Sequence, residues 1–266
     1  MTRTTAARAR EPHASVVRAR RRTTVRDLAG PAAAASLLAL AAHVLPAGTW
    51  LHGPRRRLLP GLAGIGHPGH VALTFDDGPD PASTPLFLDA LDALSVRATF
   101  FVLGESLAHY PELGRETVRR GHELAVHGWT HSRPWMPAPA RDAREVARAA
   151  RTVRHVSGED PRWYRPPYGI LTGGRWYAAA RAGLRPVLWS AWGRDWTADC
   201  TPASVVRTVE RDLAGGGTLL LHDTDRTSAQ GSWHATLDAL PGLVRGVREA
   251  GLAVGTLSEH WDAPAP

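Results

Sequence analysis

Residues 71–79 read Val-Ala-Leu-Thr-Phe-Asp-Asp-Gly-Pro, and this stretch decides the fold. No charge interrupts the run from Val71 to Phe75, and two carboxylates and a Gly-Pro turn follow it directly. A short uncharged run bounded by turn residues is typical of a buried strand. Reactive side chains directly after such a strand are typical of an α/β active site. The stretch therefore predicts the first strand of an α/β fold and one part of a site.

The same pattern repeats along the chain, because short apolar runs alternate with longer amphipathic segments. Strands are predicted at 71–75, 98–102, 123–126, 163–165, 186–191, 218–221 and 252–256. Helices are predicted at 83–93, 106–120, 141–156, 173–182, 202–214 and 233–250. Seven βα repeats in about 190 residues predict a small or distorted (β/α)7-type barrel, with the active site at the C-terminal ends of the strands.

Charge is distributed unevenly over the 266 residues. Residues 1–57 hold 11 of the 32 basic residues and only Glu11 and Asp27 of the 25 acidic ones, so the rest of the chain is close to neutral. A nearly neutral body argues against a nucleic-acid enzyme, whose substrate groove needs spread positive charge. The one cysteine, Cys200, excludes a disulfide framework and a thiolate zinc cluster.

An uncharged, Ala/Leu-rich run at about 28–54 follows a group of arginines that begins at Arg18. This layout is typical of a signal peptide or a membrane anchor. It predicts an anchored or secreted protein of the cell envelope, with an Ala-rich helix on a cytoplasmic domain as the alternative. The predicted organisation is a basic segment with an anchor-like run (1–57), a linker (58–67), a folded domain (68–258) and a C-terminal tail (259–266).

Reactive side chains follow five of the predicted strands, and barrel active sites are built from such loops. The five segments are Asp76-Asp77, His127-Gly128-Trp129-Thr130-His131, Arg165-Pro166-Pro167-Tyr168, Gly193-Arg194-Asp195-Trp196 and Leu220-Leu221-His222-Asp223. Each segment alone has an ordinary structural explanation, such as a polar turn or a pair of exposed histidines. Their order and their common position at strand ends favour one shared site.

The spacing of two histidines in the second segment predicts a metal site. Imidazoles at i and i+4 meet on one face of a helical turn, so His127 and His131 can bind one ion together. The pair Asp76-Asp77 offers one carboxylate for the metal and a second one to act as a base. Three protein ligands and one open position are typical of a catalytic zinc-like ion.

Taken together, the five segments closely resemble the polysaccharide deacetylases that share the NodB homology domain, carbohydrate esterase family 4. The resemblance covers about residues 68–258. It implies that Asp77, His127 and His131 bind one divalent metal ion, zinc or cobalt. It also implies that metal-bound water attacks the acetamide carbonyl and thereby removes N-acetyl groups from an amino-sugar polymer.

The resemblance implies roles for further side chains. Asp76 is expected to be the general base, and Arg165 to hold it. His222 is expected to be the general acid that protonates the departing amine, with Asp195 as the partner that raises its pKa.

Three further residues are expected to surround the acetyl group. The resemblance implies that the backbone N–H of Tyr168 stabilises the oxyanion, and that Trp196 and Leu220 enclose the acetate methyl. One departure is Gly128, where a Ser or Thr often follows the first histidine in the family. The missing hydroxyl puts the support of the histidines in doubt, and we expect an altered loop but a retained metal.

Tryptophans cluster in or near the five segments. Trp129 and Trp135 lie in a predicted loop and are candidates to contact sugar rings. Trp163 and Trp189 lie on predicted strands and are expected to fill the core.

Several alternatives remain at this stage. Peptidoglycan, chitin-like oligomers and exopolysaccharide are all possible substrates, with peptidoglycan the first choice for an envelope domain, and so is a small N-acetyl compound. A glycosidase also pairs carboxylates on a barrel rim, but it does not need the two histidines. A catalytically inactive carbohydrate-binding module of the same fold is another alternative. The arginine-rich segment 1–57 could bind nucleic acid or anionic lipid by itself.

Overall fold

The computed structural model describes residues 25–133 and 138–262, and for 25–32 only the course of the backbone. Arg18 and Trp135, singled out above, lie outside the described residues. Contacts between residues divide the chain into two compact units, Met1–Ala39 and Leu40–Pro266. All ten predicted site residues belong to the second unit.

Parallel strands form one curled sheet in the described part of the chain. The strands are β1 (His70–Asp76), β2 (Thr99–Leu103), β3 (Glu123–Gly128), β4 (Trp163–Tyr164), β5 (Arg185–Pro186), β6 (Ala191–Trp192), β7 (Thr218–His222) and β8 (Ala253–Gly255). Their order is β5-β4-β3-β2-β1-β7-β6, and β8 pairs with the first residues of β1. Strand β1 therefore lies in the middle of the sheet, where it is buried along its whole length.

Helices connect the strands and surround the sheet. The helices are α1 (Val25–Val44), α2 (His52–Leu58), α3 (Thr84–Leu94), α4 (Gly104–His109), α5 (Pro111–Arg119), α6 (Pro139–Ser157), α7 (Gly173–Arg181), α8 (Pro202–Asp212), α9 (Ser232–Glu249) and α10 (Leu257–Asp262). Apolar side chains from the strands and from α3, α6, α8 and α9 form the main core. The predicted barrel-type α/β fold is confirmed, as a parallel sheet curled into a half-barrel.

The predicted strand at 186–191 is wrong as a single element. Its two ends become β5 and β6, which lie at opposite edges of the sheet. Between them the backbone crosses from one edge to the other: the N–H of Val187 donates to Tyr164 O at 2.9 Å, and the N–H of Ser190 donates to Thr218 O at 3.0 Å. One continuous strand cannot pair with two edges that do not meet. We call residues 187–190 the seam of the barrel.

The predicted helix at 106–120 is also divided, into α4 and α5. Tyr110 separates them, and Pro111 is the first residue of α5. Proline lacks the N–H that the interior of a helix needs, so it favours the first turn, although α9 tolerates Pro241 in its interior.

The segment predicted as a linker, 58–67, packs against the barrel. Ala63 is fully buried, the O of Leu62 accepts a hydrogen bond from the seam residue Leu188 at 2.8 Å, and Gly64 O accepts one from Thr218 Oγ1 at 2.7 Å. The predicted tail likewise begins within α10, where His260 is fully buried. Both segments contribute to the folded unit.

The uncharged run near the N-terminus forms α1 and a following 3-10 turn, Leu45–Trp50. The window Ala33–Trp50 is long and apolar enough to cross a membrane, judged by length and composition, and none of its residues is buried. This is the layout of either a signal sequence or an anchor.

Candidate functional site

The carboxyl ends of the strands surround a cavity of about 570 Å³. Most of the predicted site residues line it, namely Asp76, His127, His131, Tyr168, Trp196, Leu220 and His222. The remaining three, Asp77, Arg165 and Asp195, are buried and contact residues of the lining. The fold thus brings all ten predicted residues together.

The three predicted metal ligands come from the ends of two strands. Asp77 directly follows β1, His127 is the penultimate residue of β3, and His131 lies in the next loop. Asp77 Oδ1 lies 3.3 Å from His127 Nε2 and 3.7 Å from His131 Nε2. One ligand atom from each of the three residues lies within 4.8 Å of the others. These side chains can therefore reach one ion.

The helical turn predicted for the two histidines is wrong. His127 ends a strand and the chain turns at Gly128, whose φ is 113°, yet the imidazole centroids are 5.4 Å apart. A strand end followed by a tight turn brings residues i and i+4 together as well as a helix does. Ser and Thr rarely adopt this φ, so a hydroxyl residue would strain this loop. His127 Nδ1 has no hydrogen-bond partner among the described residues, in keeping with the missing hydroxyl.

The donor atoms suit a divalent cation. Asp77 Oδ1 is buried and accepts no hydrogen bond from the described residues, whereas Oδ2 accepts one from the hydroxyl of Thr227. Burial raises the pKa of Asp77, but the close approach of His127 and the charges of the nearby histidines outweigh it, so this pKa lies well below its ordinary value. Burial lowers the pKa of His131 to about 4. An ionised carboxylate and a neutral imidazole are the states that bind metal, so the set fits a zinc-like ion.

Asp76, the last residue of β1, is held by a buried arginine. Arg165 Nη1 donates to Asp76 Oδ1 at 2.7 Å and to Thr74 Oγ1 at 2.9 Å. Arg165 is fully buried, and its Nη2 donates to the O of Leu188 in the seam at 3.0 Å. Burial lowers the pKa of Arg165, and the charge of Asp76 opposes that shift. The ion pair fixes one oxygen of Asp76 and leaves the other for the cavity.

His222, at the end of β7, is paired with a buried carboxylate. Its Nδ1 lies 2.9 Å from Asp195 Oδ1, and its backbone N–H donates to Asp195 Oδ2 at 2.8 Å. Thr236 Oγ1 also donates to Asp195 Oδ2, at 2.8 Å. Burial by itself lowers the pKa of His222, but the charge and hydrogen bond of Asp195, with the charges of Asp77 and Asp76, raise it to about 10. With Nδ1 engaged, Nε2 is the nitrogen available to a bound molecule.

Three indoles form a continuous aromatic part of the lining. The ring centroids of Trp189 and Trp192 are 5.6 Å apart, and those of Trp192 and Trp196 are 5.1 Å apart. Gly169 lies against Trp189 so closely that a Cβ would overlap the indole, and its φ is 65°. A glycine is therefore needed where this loop meets the aromatic wall.

The predicted division of the tryptophans is only partly right. Trp163 is 1% exposed and fills the core as predicted. Trp189 was predicted to fill the core too, but it also lines the cavity, because it lies in the seam and not in a strand. Trp129, predicted to contact sugar, packs on the core beneath the guanidinium of Arg148, which lies 3.5 Å from its ring centroid.

Several residues near the cavity were missed by the sequence analysis. Trp50, Thr227 and Ser228 line it. Thr227 and Ser228 belong to the loop that follows His222, so their position in the sequence was a usable signal, whereas Trp50 lies in an apolar run that gives none.

Asp223 is 1% exposed, and burial, together with the charge of a neighbouring carboxylate, raises its pKa to about 7.

Comparison with known proteins identifies the family. Residues 64–187 match the family described as polysaccharide deacetylase. A chitooligosaccharide deacetylase of Bradyrhizobium sp. (strain ANU 289) is 40% identical over 186 residues, which cover 66% of this chain and 84% of that protein. The chain belongs to the polysaccharide deacetylase family. The predicted resemblance to the NodB homology domain, carbohydrate esterase family 4, is thereby confirmed, and the chain is a hydrolase of this class.

Two further proteins are similar over most of the chain. The peptidoglycan-N-acetylmuramic acid deacetylase of Bacillus subtilis is 31% identical over 189 residues, which cover 71% of this chain and 38% of that longer protein. The structure of a family 4 carbohydrate esterase from Streptomyces lividans, in complex with acetate, is 32% identical with a TM-score of 0.64. It covers 74% of this chain and 98% of the esterase.

Proposed function

We propose that this polysaccharide deacetylase removes N-acetyl groups from an amino-sugar polymer or oligomer with the help of one divalent metal ion. One observation carries the proposal. Three ligand side chains, a carboxylate fixed by a buried arginine, and an imidazole paired with a buried carboxylate all meet at one cavity. Acyl transfer to water needs these three functions: polarisation of the carbonyl, a base and an acid.

Asp77, His127 and His131 would hold the ion, and the free Oδ1 of Asp77 is the donor that most needs one. A zinc-like ion polarises a carbonyl and makes water acidic near neutral pH. Thr227 leaves Oδ1 as the available oxygen of Asp77, because its hydroxyl donates to Oδ2.

We assign the base to Asp76. Its Oδ1 is fixed by Arg165, so Oδ2 can take a proton from the attacking water without rotation of the carboxylate. Because Arg165 is fully buried and also donates to Thr74 and Leu188, it holds this carboxylate in one orientation.

We assign the acid to His222. The raised pKa, about 10, keeps the imidazole protonated at neutral pH, and Asp195 orients it through Nδ1. Nε2 then has a proton to give to the nitrogen of the departing amino sugar, and this transfer makes the amine a competent leaving group.

Tyr168, Trp196 and Leu220 are proposed to hold the acetyl group. Trp196 and Leu220 give the methyl an apolar surface, and the backbone N–H of Tyr168 would donate to the carbonyl oxygen as negative charge develops on it. The ring of Tyr168 lies 4.2 Å from that of His131, so the loop adjoins the ligands.

We propose N-acetylglucosamine polymers as the substrate class, and the cell envelope as the place of action. Relatives named for chitooligosaccharides and for peptidoglycan support the substrate class. The exposed apolar side chains of α1, such as Leu37 and Leu38, support association with a membrane. Recovery of the full-length chain in the membrane fraction would agree with an anchor, and recovery in the cytosol would contradict this location.

Acetate release tests the function. The purified full-length chain is incubated with N-acetylglucosamine oligomers and with peptidoglycan, before chelation, after it, and after zinc or cobalt is returned. We expect release that stops on chelation and returns with metal. New reducing ends without acetate would instead indicate a glycosidase. One bound metal per chain with no acetate from either substrate would contradict the proposal and favour a small N-acetyl substrate or a binding role.

A further inference from the structure

The segment 45–58 precedes the part of the chain that matches the polysaccharide deacetylase family, yet it reaches the cavity. We propose that this segment is a wall of the substrate cavity, in which Trp50 contacts the sugar and Arg55 is a positioning residue. The inference rests on the proposed function, because it names a sugar contact at the same site.

Trp50 ends the 3-10 turn Leu45–Trp50 and lines the cavity together with the three indoles described above. Its side chain is half exposed, at 50%. An indole combines a large flat apolar face with one N–H donor, and this combination suits the apolar face and the hydroxyl rim of a pyranose ring. An exposed tryptophan at the edge of a cavity is therefore placed to contact a ligand there.

Arg55 explains why Trp50 stays at the cavity. Its side chain is 2% exposed, and Nη1 donates to the O of Thr49 at 2.8 Å and to the O of Trp50 at 3.4 Å. Nη2 donates to the O of Trp189 at 2.7 Å. One guanidinium thus joins the backbone of Trp50 to the backbone of Trp189, and both of these residues line the cavity.

The burial of Arg55 is costly, which distinguishes it from an incidental surface contact. No carboxylate of the described residues pairs with it, and burial and the charges of Arg165 and Arg56 lower its pKa to about 10. A buried cation held by carbonyl oxygens and by the ring of Trp189, 5.3 Å from its centroid, is a poor way to gain stability. Its geometry is well suited to fixing three carbonyls, since the planar fork donates in set directions.

The chain on either side of Trp50, from Ala42 before the wall to Arg56 within it, also packs against the barrel. Gly173, the first residue of α7, lies against the O of Ala42 so closely that a Cβ would overlap it. The side chain of Arg56 donates to Asp212 O at 3.4 Å. The segment is thereby held on both sides of Trp50, which favours a fixed wall over a loose strap.

The test compares Trp50→Ala with Trp176→Ala in the full-length chain. Trp176 lies on α7, is 41% exposed and does not line the cavity, so it is a matched control. We expect Trp50→Ala to raise the KM for N-acetylglucosamine oligomers about tenfold, with kcat within about twofold, because a lost contact with distant sugar units weakens binding without changing the reacting groups. Trp176→Ala should leave both constants unchanged.

Arg55→Gln provides the second variant. It should raise KM as Trp50→Ala does, and the double variant should be no worse than either single one, because both act on one contact. A merely structural role would instead lower stability and leave the KM of the folded fraction unchanged. If the wild type is active and Trp50→Ala has an unchanged KM, the proposal that this segment is a wall of the substrate cavity is overturned.

Failure of the proposed function is recognised separately, because the wild-type chain then releases no acetate. In that case calorimetry tests the wall by measuring how tightly N-acetylglucosamine oligomers bind to the metal-loaded wild type and to metal-loaded Trp50→Ala. About tenfold weaker binding by the variant supports the wall. Equal binding, or no binding by the wild type, overturns it.

Discussion

At the residue scale, two adjacent aspartates have different surroundings. Asp76 is paired with Arg165, whereas Asp77 lies beside His127 and keeps an unpaired oxygen. We therefore expect Asp76→Asn to keep one metal per chain and to lose activity by at least about 100-fold. His127→Ala should lose metal and activity together. Metal analysis beside acetate release checks both, and a metal-free Asp76→Asn or a metal-loaded, active His127→Ala would contradict the assignment.

Thr227 provides a second prediction at this scale. Its hydroxyl holds Oδ2 of Asp77, and the partner of a ligand orients it toward the metal. Thr227→Val, which keeps the shape and removes the donor, should weaken zinc affinity about 10- to 100-fold. Thr227→Ser keeps the hydroxyl and is the control. Equal zinc affinity of Thr227→Val and wild type, measured by competition with a chelating dye, would exclude this role.

The residues that the sequence predicted share one property: each lies near or just after the carboxyl end of a strand. Asp76 and His222 are of this kind, so a strand pattern and residue chemistry were enough to bring them together. Trp50 could not be predicted, because it reaches the cavity through the packing of a segment that has no strand of its own. Arg55 could not be predicted either, since a basic residue in a basic segment normally indicates a solvated surface.

At the scale of elements, the seam depends on Arg165. This side chain donates to carbonyls of Val187 and Leu188, besides pairing with Asp76, and its guanidinium lies 4.0 Å from the ring centroid of Phe101. Arg165→Met leaves a buried carboxylate unpaired. We expect the free energy of unfolding to fall by about 3–5 kcal/mol.

The exposed pair of Arg162 with Asp262 provides the control for that variant. Both side chains are about half exposed, so Arg162→Met should change the free energy of unfolding by less than about 1 kcal/mol. Urea unfolding of the two variants makes the comparison. If Arg165→Met and Arg162→Met lost the same free energy of unfolding, the seam would not depend on Arg165.

The sequence pattern predicts the buried strands of this fold but not the seam. Buried strands such as β1 and β7 have uninterrupted apolar runs, and their positions were predicted to within about two residues. The seam has the same apolar composition as a strand, but its hydrogen bonds go to both edges of the sheet. An apolar composition indicates that a segment is buried. It does not indicate which edge of the sheet the backbone of that segment pairs with.

At the scale of the whole molecule, buried histidines make stability depend on pH. His122 and His260 are 4% and 0% exposed, and burial, with nearby positive charge, lowers the pKa of each to about 4. The unfolded chain, with an ordinary value of 6.5, takes up these protons first as the pH falls. The stabilisation is therefore complete above about pH 6.5 and is lost toward pH 4, by about 1.4 kcal/mol per pH unit for each histidine.

Urea unfolding at pH 7, 6 and 5 measures the slope of the free energy of unfolding against pH. His122→Gln should reduce it, and His155→Gln, at an exposed position on α6, should not. The same dependence on pH in His122→Gln and in the wild type would contradict this role of His122, whatever slope the other titrating groups add.

The compact unit of the chain begins earlier in the sequence than the part that matches the family. The match begins at residue 64, whereas the compact unit begins at Leu40 and includes Arg55 and Trp50. We propose residues 40–266 as the folded unit in place of 68–258. A fragment that begins at residue 58 lacks Arg55, and its loss of substrate affinity relative to the full chain would support this boundary.

Asp77 has one further property, a backbone φ of 80°, which side chains other than glycine adopt at a cost of roughly 1–2 kcal/mol. Its carboxylate is also buried near those of Asp76 and Asp223. The metal-free Asp77→Gly chain is relieved of this backbone strain but loses the hydrogen bond from Thr227 and the favourable charges of the nearby histidines, so it should melt close to the metal-free wild type. A large drop in melting temperature would contradict this. The strained backbone at Asp77 thus serves the proposed metal site and adds little to stability, so selection for heat resistance alone would not preserve this residue or the activity proposed for it.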